Sequence, residues 1–227
     1  ERTGEALSFT AFVIACLGRA VAENPTLNAL RRGRKVYVLD DVVIATLIER
    51  EAGGETVPEL VPIHQANVKS FRAIHEEIRA AQRPRGGGRT RPAGGGRLAG
   101  LVPEFLLRAA VRSATRSVAH ARESGVVMVS AVGMHGRGRG WGLPLSVWTV
   151  AITIGGIGPR VLLRDGTLES REFLGITASF DHDLVDGAPA VRFMSRFAAL
   201  LRGADLLRGE LADGSAAAGG ELAEESP

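Results

Sequence analysis

The alternation of apolar and polar positions divides the chain into helical and strand-like stretches. Near the start, Ser8 or Thr10 can cap a helix whose apolar positions Phe12, Val13, Cys16, Leu17, Ala20 and Val21 form one stripe, and Asn24-Pro25 stops it. Residues 36–39 and 42–47 read as short neighbouring strands broken by Asp40-Asp41, with a turn at Gly53-Gly54. A second helix is predicted over residues 69–82, with Phe71, Ile74, Ile78 and Ala81 on one face and charges on the other. His75 lies beside Ile74 and Ile78 and reads as a structural or surface histidine. A third helix, amphipathic and basic, is predicted over residues 104–121. The arginines at 108, 112, 116 and 122 can face solvent, an acidic partner surface or a ligand phosphate, and a solvated face is the commonest outcome. Residues 125–132, 147–154, 160–163 and 172–180 read as strands. The last periodic stretch, Val191, Met194, Phe197, Ala198 and Leu201, makes a helix ending at Gly203. This order predicts a mixed α/β fold with a sheet core.

Length and charge narrow the picture. A chain of 227 residues builds one sizeable core, so a single domain is expected over residues 1–202, followed by an Ala/Gly/Glu-rich disordered tail over 203–227. No apolar run reaches the ~18 residues of a membrane span and no charged-then-apolar leader opens the chain, so a cytoplasmic protein without membrane contact is expected. The net charge of +3 is local: five arginines and no acid lie between residues 83 and 100, and without them the chain carries −2. That segment, RPRGGGRTRPAGGGRLAG, has too few apolar residues to order itself and reads as a mobile insert. It lacks the interleaved aromatics of RNA-binding Arg/Gly repeats, so nucleic acid is not the expected partner. The single cysteine, Cys16, falls on the apolar stripe of the first helix and reads as a small core residue. The histidines at 64, 75, 120, 135 and 182 show none of the close His/Cys pairings of a zinc site, so no metal is expected.

The chemistry concentrates in SFDHDLVDGAP, residues 179–189. His182 and Asp186 stand four apart on a turn between a strand-like run and a helix; Gly187 relaxes the backbone and Pro189 suits the first helical turn. A histidine held in such a loop can point into a cleft with fixed orientation, and its ordinary pKa of ~6.5 lets it take and return a proton near neutrality. The glycine-rich segment 133–142 has neither the Lys-Ser/Thr ending of a P-loop nor a βαβ context, and reads as a flexible loop.

The motif His-x-x-x-Asp-Gly, here His182 to Gly187, resembles the catalytic signature shared by chloramphenicol acetyltransferase and the acyltransferase (E2) catalytic domains of 2-oxoacid dehydrogenase complexes. The longer string SFDHDLVDGAPAVRFMSRFAALL is closer to the latter. Residues 9–28 resemble that family's first long helix with its Asn-Pro-x-x-Asn ending. Residues 42–82 resemble its strand, a crossing loop containing Pro62, and the following helix. GVVMVSAVG, residues 125–133, resembles the strand bearing a catalytic Ser or Thr, which falls on Ser130.

The resemblance implies a chloramphenicol acetyltransferase-like mixed sheet flanked by helices. It implies His182 as general base, Ser130 as oxyanion donor and Asp186 as an organiser of the loop, often bonded to an arginine from an N-terminal segment that this sequence begins after. It also implies a homotrimer, or a larger assembly of trimers, in which histidine and serine come from different chains. Acyl-coenzyme A and an acyl acceptor are the implied partners, and Arg137 or Arg139 can meet the coenzyme A phosphates. The chain departs from the family in having Asp183 where an arginine is usual, in the basic insert, and in the absence of lipoyl and subunit-binding domains. These departures suggest a stand-alone acyltransferase. The alternatives are the catalytic core of a dehydrogenase complex that acylates coenzyme A from lipoyl arms, and a non-catalytic trimeric scaffold.

Overall fold

The computed structural model describes residues 7–52, 55–83, 104, 117–133, 140–144 and 148–203. The expected turn at Gly53-Gly54, the insert beyond Arg83, most of the helix predicted over 104–121, His135, Arg137, Arg139 and the tail beyond Gly203 lie outside the described residues.

The Ser8 hydroxyl accepts the Ala11 N–H at 3.4 Å and opens helix α1, Phe9–Ala22. Its residues Ala11–Gly18 are buried without a break, because α1 packs between α2 (Phe71–Gln82) and α4 (Gly187–Gly203) as well as on the sheet. Ser70 caps α2 in the same way, through the Ala73 N–H. Strands β1 (Ala29–Arg32) and β2 (Lys35–Val38) form an antiparallel hairpin, apart from the main sheet. The main sheet has the order β4-β3-β5-β6-β7, from β3 (Ile44–Ala52), β4 (Glu55–Ile63), β5 (Val127–Ala131), β6 (Val150–Arg164) and β7 (Thr167–Phe180). β5 runs parallel to β3 and β6, and the two outer pairs are antiparallel. Helix α3, Val118–Ser124, leads into β5 through Gly125, whose φ of +79° and approach to the Val43 carbonyl require glycine.

The helices cover one face of the sheet. Val127, Val129, Val150, Ile152 and Ile154 enter the core with Phe193 and Phe197 of α4. Phe180 meets Phe193 edge-on at 5.9 Å. The bidentate Glu23–Arg196 pair, at 2.7 Å on both arms, ties the end of α1 to α4, and the arginine's hydrogen bonds hold the Glu23 carboxyl below its ordinary pKa. Its contribution is therefore present above the ordinary carboxylate pKa and lost as pH falls through the depressed value.

The expected mixed sheet flanked by helices is present, with three corrections. Residues 36–39 and 42–47 are not neighbours: β2 pairs only with β1, whereas the second run begins at Ile44 and joins β4 and β5. Periodicity locates an extended segment but carries no information about its partner. Pro62 lies within β4 and not in a crossing loop, which a sheet edge allows because proline needs no ladder donor there. The runs at 147–154 and 160–163 belong to one strand, β6, which passes through a bulge at Gly155-Gly156. His75 proves structural: it is buried, and its Nδ1 accepts the Ser8 N–H at 3.0 Å.

Two outcomes follow. A Cβ on Gly18 would stand 2.3 Å from the Ala66 carbonyl oxygen, a backbone atom that cannot swing away. Gly18→Ala therefore gains the ~1 kcal/mol helix propensity of alanine but incurs an overpacking cost of about 1–3 kcal/mol. Net destabilisation is expected in urea unfolding, and a stabilised variant would refute the close crossing. Burial pushes the Cys16 thiol up to about 11. Native protein at pH 8 should then react with a disulfide reagent on the order of 10²-fold more slowly than the unfolded chain.

Candidate active site

The β6–β7 ladder ends at the pair Val150↔Phe180, and the next residue on each side makes one more bond: the Asp181 N–H donates to the Thr149 carbonyl at 2.9 Å. Asp181 then turns the chain. Its carboxylate accepts the Asp183 N–H at 3.0 Å, and its carbonyl accepts the N–H groups of Leu184 and Val185, both at 3.0 Å. Val185 is buried and anchors the far side, and the Ala190 N–H returns to the Asp186 carbonyl as α4 begins. Gly187 is the first residue of α4 and Pro189 lies in its first turn. His182 is thus the exposed corner of a turn whose neighbours are fixed.

The His182 side chain is 83% exposed and that of Asp186 88%, with Nδ1 and Oδ1 3.9 Å apart. At that separation the carboxylate acts on the ring through charge and not through a formed hydrogen bond. Among the described residues, no cleft of the kind expected surrounds the ring. Among the described residues no arginine bonds Asp186. Beneath the turn, Phe180, Ala190, Val191, Met194 and Arg202 line an apolar groove of about 440 Å³.

Ser130 is half-buried on β5. Val127 and Val129 point to the helices, so the pleat turns Ser130 to the opposite face. There it stands beside Thr153, which stands beside Thr177, and a row of three hydroxyls crosses the sheet. The Gly140 carbonyl accepts the Gly156 N–H at 2.7 Å and brings residues 140–144 over this face. Ser130 and the end of β7 are two strands and three residues apart. At ~4.8 Å per strand and ~3.3 Å per residue, that places Ser130 on the order of 15 Å from the His182 turn within one chain. His182 and Asp186 are brought together; Ser130 is not.

His64 was not among the sequence candidates, yet its Nδ1 lies 3.0 Å from Asp41 Oδ2, a closer histidine–aspartate contact than that of His182. Asp41 Oδ1 also accepts the Gln65 N–H at 2.9 Å, and Gln65 has a φ of 54°, which gives the pair a turn-stabilising role. Twenty-three residues separate the two, and no spacing in the sequence announces them. No group of three His, Cys, Asp or Glu side chains suited to a metal ion occurs among the described residues, and no helix among them is long and apolar enough to cross a membrane.

No curated protein sequence matches the chain. Among solved structures, a probable dihydrolipoamide acetyltransferase from Listeria monocytogenes aligns at 21% identity over 89% of this chain and 73% of its own, with a TM-score of 0.61. The cubic core of the pyruvate dehydrogenase multienzyme complex aligns at 16% identity over 91% and 73%, with a TM-score of 0.59. The dihydrolipoamide acetyltransferase of Azotobacter vinelandii, studied for the roles of a serine, a histidine and an asparagine in its catalytic mechanism, aligns at 16% identity over 91% and 73%, with a TM-score of 0.58. These likenesses give the fold. The family resemblance read from the sequence holds as well: residues 109–208, which include Ser130 and the His182 turn, match the catalytic domain of the 2-oxoacid dehydrogenases acyltransferase family.

Proposed function

We propose that the protein is an acyltransferase that moves an acyl group from acyl-coenzyme A to the thiol or hydroxyl of a small-molecule or carrier acceptor. His182 is the general base and Ser130 of a neighbouring protomer the oxyanion donor. The observation that carries this reading is the pair of spacings along the chain. In the Azotobacter enzyme the serine and histidine stand 52 positions apart and the histidine and asparagine four apart. Ser130, His182 and Asp186 repeat both intervals, with an aspartate in the place of the asparagine.

The chemistry follows from the geometry. Nδ1 of His182 faces Asp186, which leaves Nε2 to take the proton of the acceptor. The acceptor's sulfur or oxygen attacks the thioester carbonyl carbon, and the negative charge moves to the carbonyl oxygen, where the Ser130 hydroxyl donates a hydrogen bond. Collapse of the tetrahedral species breaks the carbon–sulfur bond, and the leaving thiolate recovers the proton from the imidazolium. No covalent enzyme intermediate is required.

The inter-protomer arrangement is supported by the on-the-order-of 15 Å separation within one chain. It is also supported by apolar surface that one chain leaves exposed: Val161, Leu163 and Leu168 near the end of the β6–β7 hairpin are each about two-thirds exposed or more. A homotrimer, or an assembly of trimers, would cover such surface and complete the site. A second reading, the core of a dehydrogenase complex fed by lipoyl arms, is favoured by the likeness to a cubic core. Sedimentation separates the two: a free trimer supports the first and a particle many times larger the second.

His182→Ala should lower the release of free thiol from acyl-coenzyme A, in the presence of an acceptor, by about 10²–10⁴-fold, and Ser130→Ala by about 10²–10³-fold. Equal activity in either variant and the parent would sink the corresponding role. Co-folding equal amounts of the two inactive variants should restore about a quarter of parental activity, because a fraction of interfaces then joins an intact histidine to an intact serine. No recovery would place both groups in one chain.

A further inference from the structure

The β1–β2 hairpin shares no ladder with the main sheet, yet it is tied to the His182 turn at two points, once through Thr149 and once directly. At Ala29 its carbonyl accepts the hydroxyl of Thr149 at 2.5 Å, and the Thr149 carbonyl in turn holds the Asp181 N–H at 2.9 Å. Two residues along β1, Arg31 Nη1 lies 3.1 Å from Asp183 Oδ2. The Arg31 Nε donates to the Gly33 carbonyl at 3.1 Å, so the hairpin's own turn fixes the plane of the guanidinium. Asp183 closes the circuit by donating its N–H to the Asp181 carboxylate at 3.0 Å. The path runs from β1 through Thr149, Asp181 and Asp183 back to β1, and the residue it encloses is His182.

We propose that Arg31 is a positioning residue for His182, bracing the 181–183 turn through Asp183. The side chains of Arg31 and Asp183 are 46% and 67% exposed, so the pair contributes little to global stability. Its consequence is local order: a turn held only by backbone bonds can rotate about residues 182–183, and an ionic brace on its outer side opposes that rotation. Arginine suits this because its rigid planar fork holds Gly33 and Asp183 from two separate nitrogens in one fixed geometry, where lysine offers a single ammonium on a flexible stem. The brace rests on the acyltransferase reading for its kinetic effect, whereas the order of the turn is measurable without it.

The test compares Arg31→Asp, Asp183→Arg and the double exchange, with Arg31→Lys as a variant that keeps the charge. Each single exchange should lower kcat by about tenfold with KM for acyl-coenzyme A within about twofold. The double exchange should recover to within about threefold of the parent. In parallel, amide hydrogen exchange at Asp183 should quicken about tenfold in the single variants and return towards parental in the double. Arg31→Lys should fall between parent and Arg31→Asp on both readouts, and decides the matter should a reversed charge prevent folding. Parental exchange rates in the single variants, or a double exchange no better than either single, overturns the brace. A parent without acyl transfer defeats the functional reading, and the exchange rates then still decide whether Arg31 orders the turn.

Discussion

The hydrogen bond from the Asp181 N–H to the Thr149 carbonyl is the joint on which the site depends. It extends the β6–β7 ladder by a single bond beyond the Val150↔Phe180 pair. The ladder stops there because Asp181 offers the following amides nearer partners: its carboxylate takes Asp183, and its carbonyl takes Leu184 and Val185. The sheet's rigidity thereby passes directly into the turn. Thr149, itself buried, is fixed in turn by its bond to the Ala29 carbonyl. His182 is exposed at the corner of a turn whose flanking backbone groups are committed elsewhere.

On the proposed reading, the two faces of the sheet explain why one chain leaves the arrangement incomplete. One face carries Val127, Val129, Ile152 and Ile154 into a core with α1 and α4; the other carries Ser130, Thr153 and Thr177. Residues 140–144 lie over this second face and Thr153 is buried on it, while Ser130 is half-buried. At the end of the sheet, the His182 and Asp186 side chains are 83% and 88% exposed. On the acyltransferase reading proposed above, the thioester must be kept from hydrolysis, so an exposed base is half of a site. On that reading, the demand for a second protomer arises from solvent exclusion as much as from the distance to Ser130.

What the sequence made legible follows from how local each signal is. The capped α1, the α2 face of Phe71, Ile74 and Ile78, and the helix after Pro189 were all readable, because a 3.6-residue period and a cap are properties of neighbouring residues. The His182–Asp186 spacing was readable for the same reason. Strand partnership was not: nothing in residues 36–39 says that they pair with 29–32, and Pro58 and Pro62 argue against the strand that β4 nevertheless forms at the sheet edge. The His64–Asp41 contact and the role of His75 were hidden equally, since both join residues far apart in sequence. Ser130 could be named only through resemblance, because a strand serine looks alike whether it faces a substrate or a neighbour.

The turn holds three carboxylates within six residues, and the structure gives each a different task. Asp181 is occupied by backbone amides, Asp183 by Arg31, and only Asp186 is left to face the Nδ1 of His182. On the proposed reading, a single carboxylate swinging among these tasks would disturb the charge that Nδ1 of His182 meets, and the orientation of the ring decides which nitrogen reaches the acceptor. The departure at Asp183, where the resemblance leads one to expect an arginine, is consistent with this division. It reverses the charge on the turn, and the opposite charge appears on β1 at Arg31.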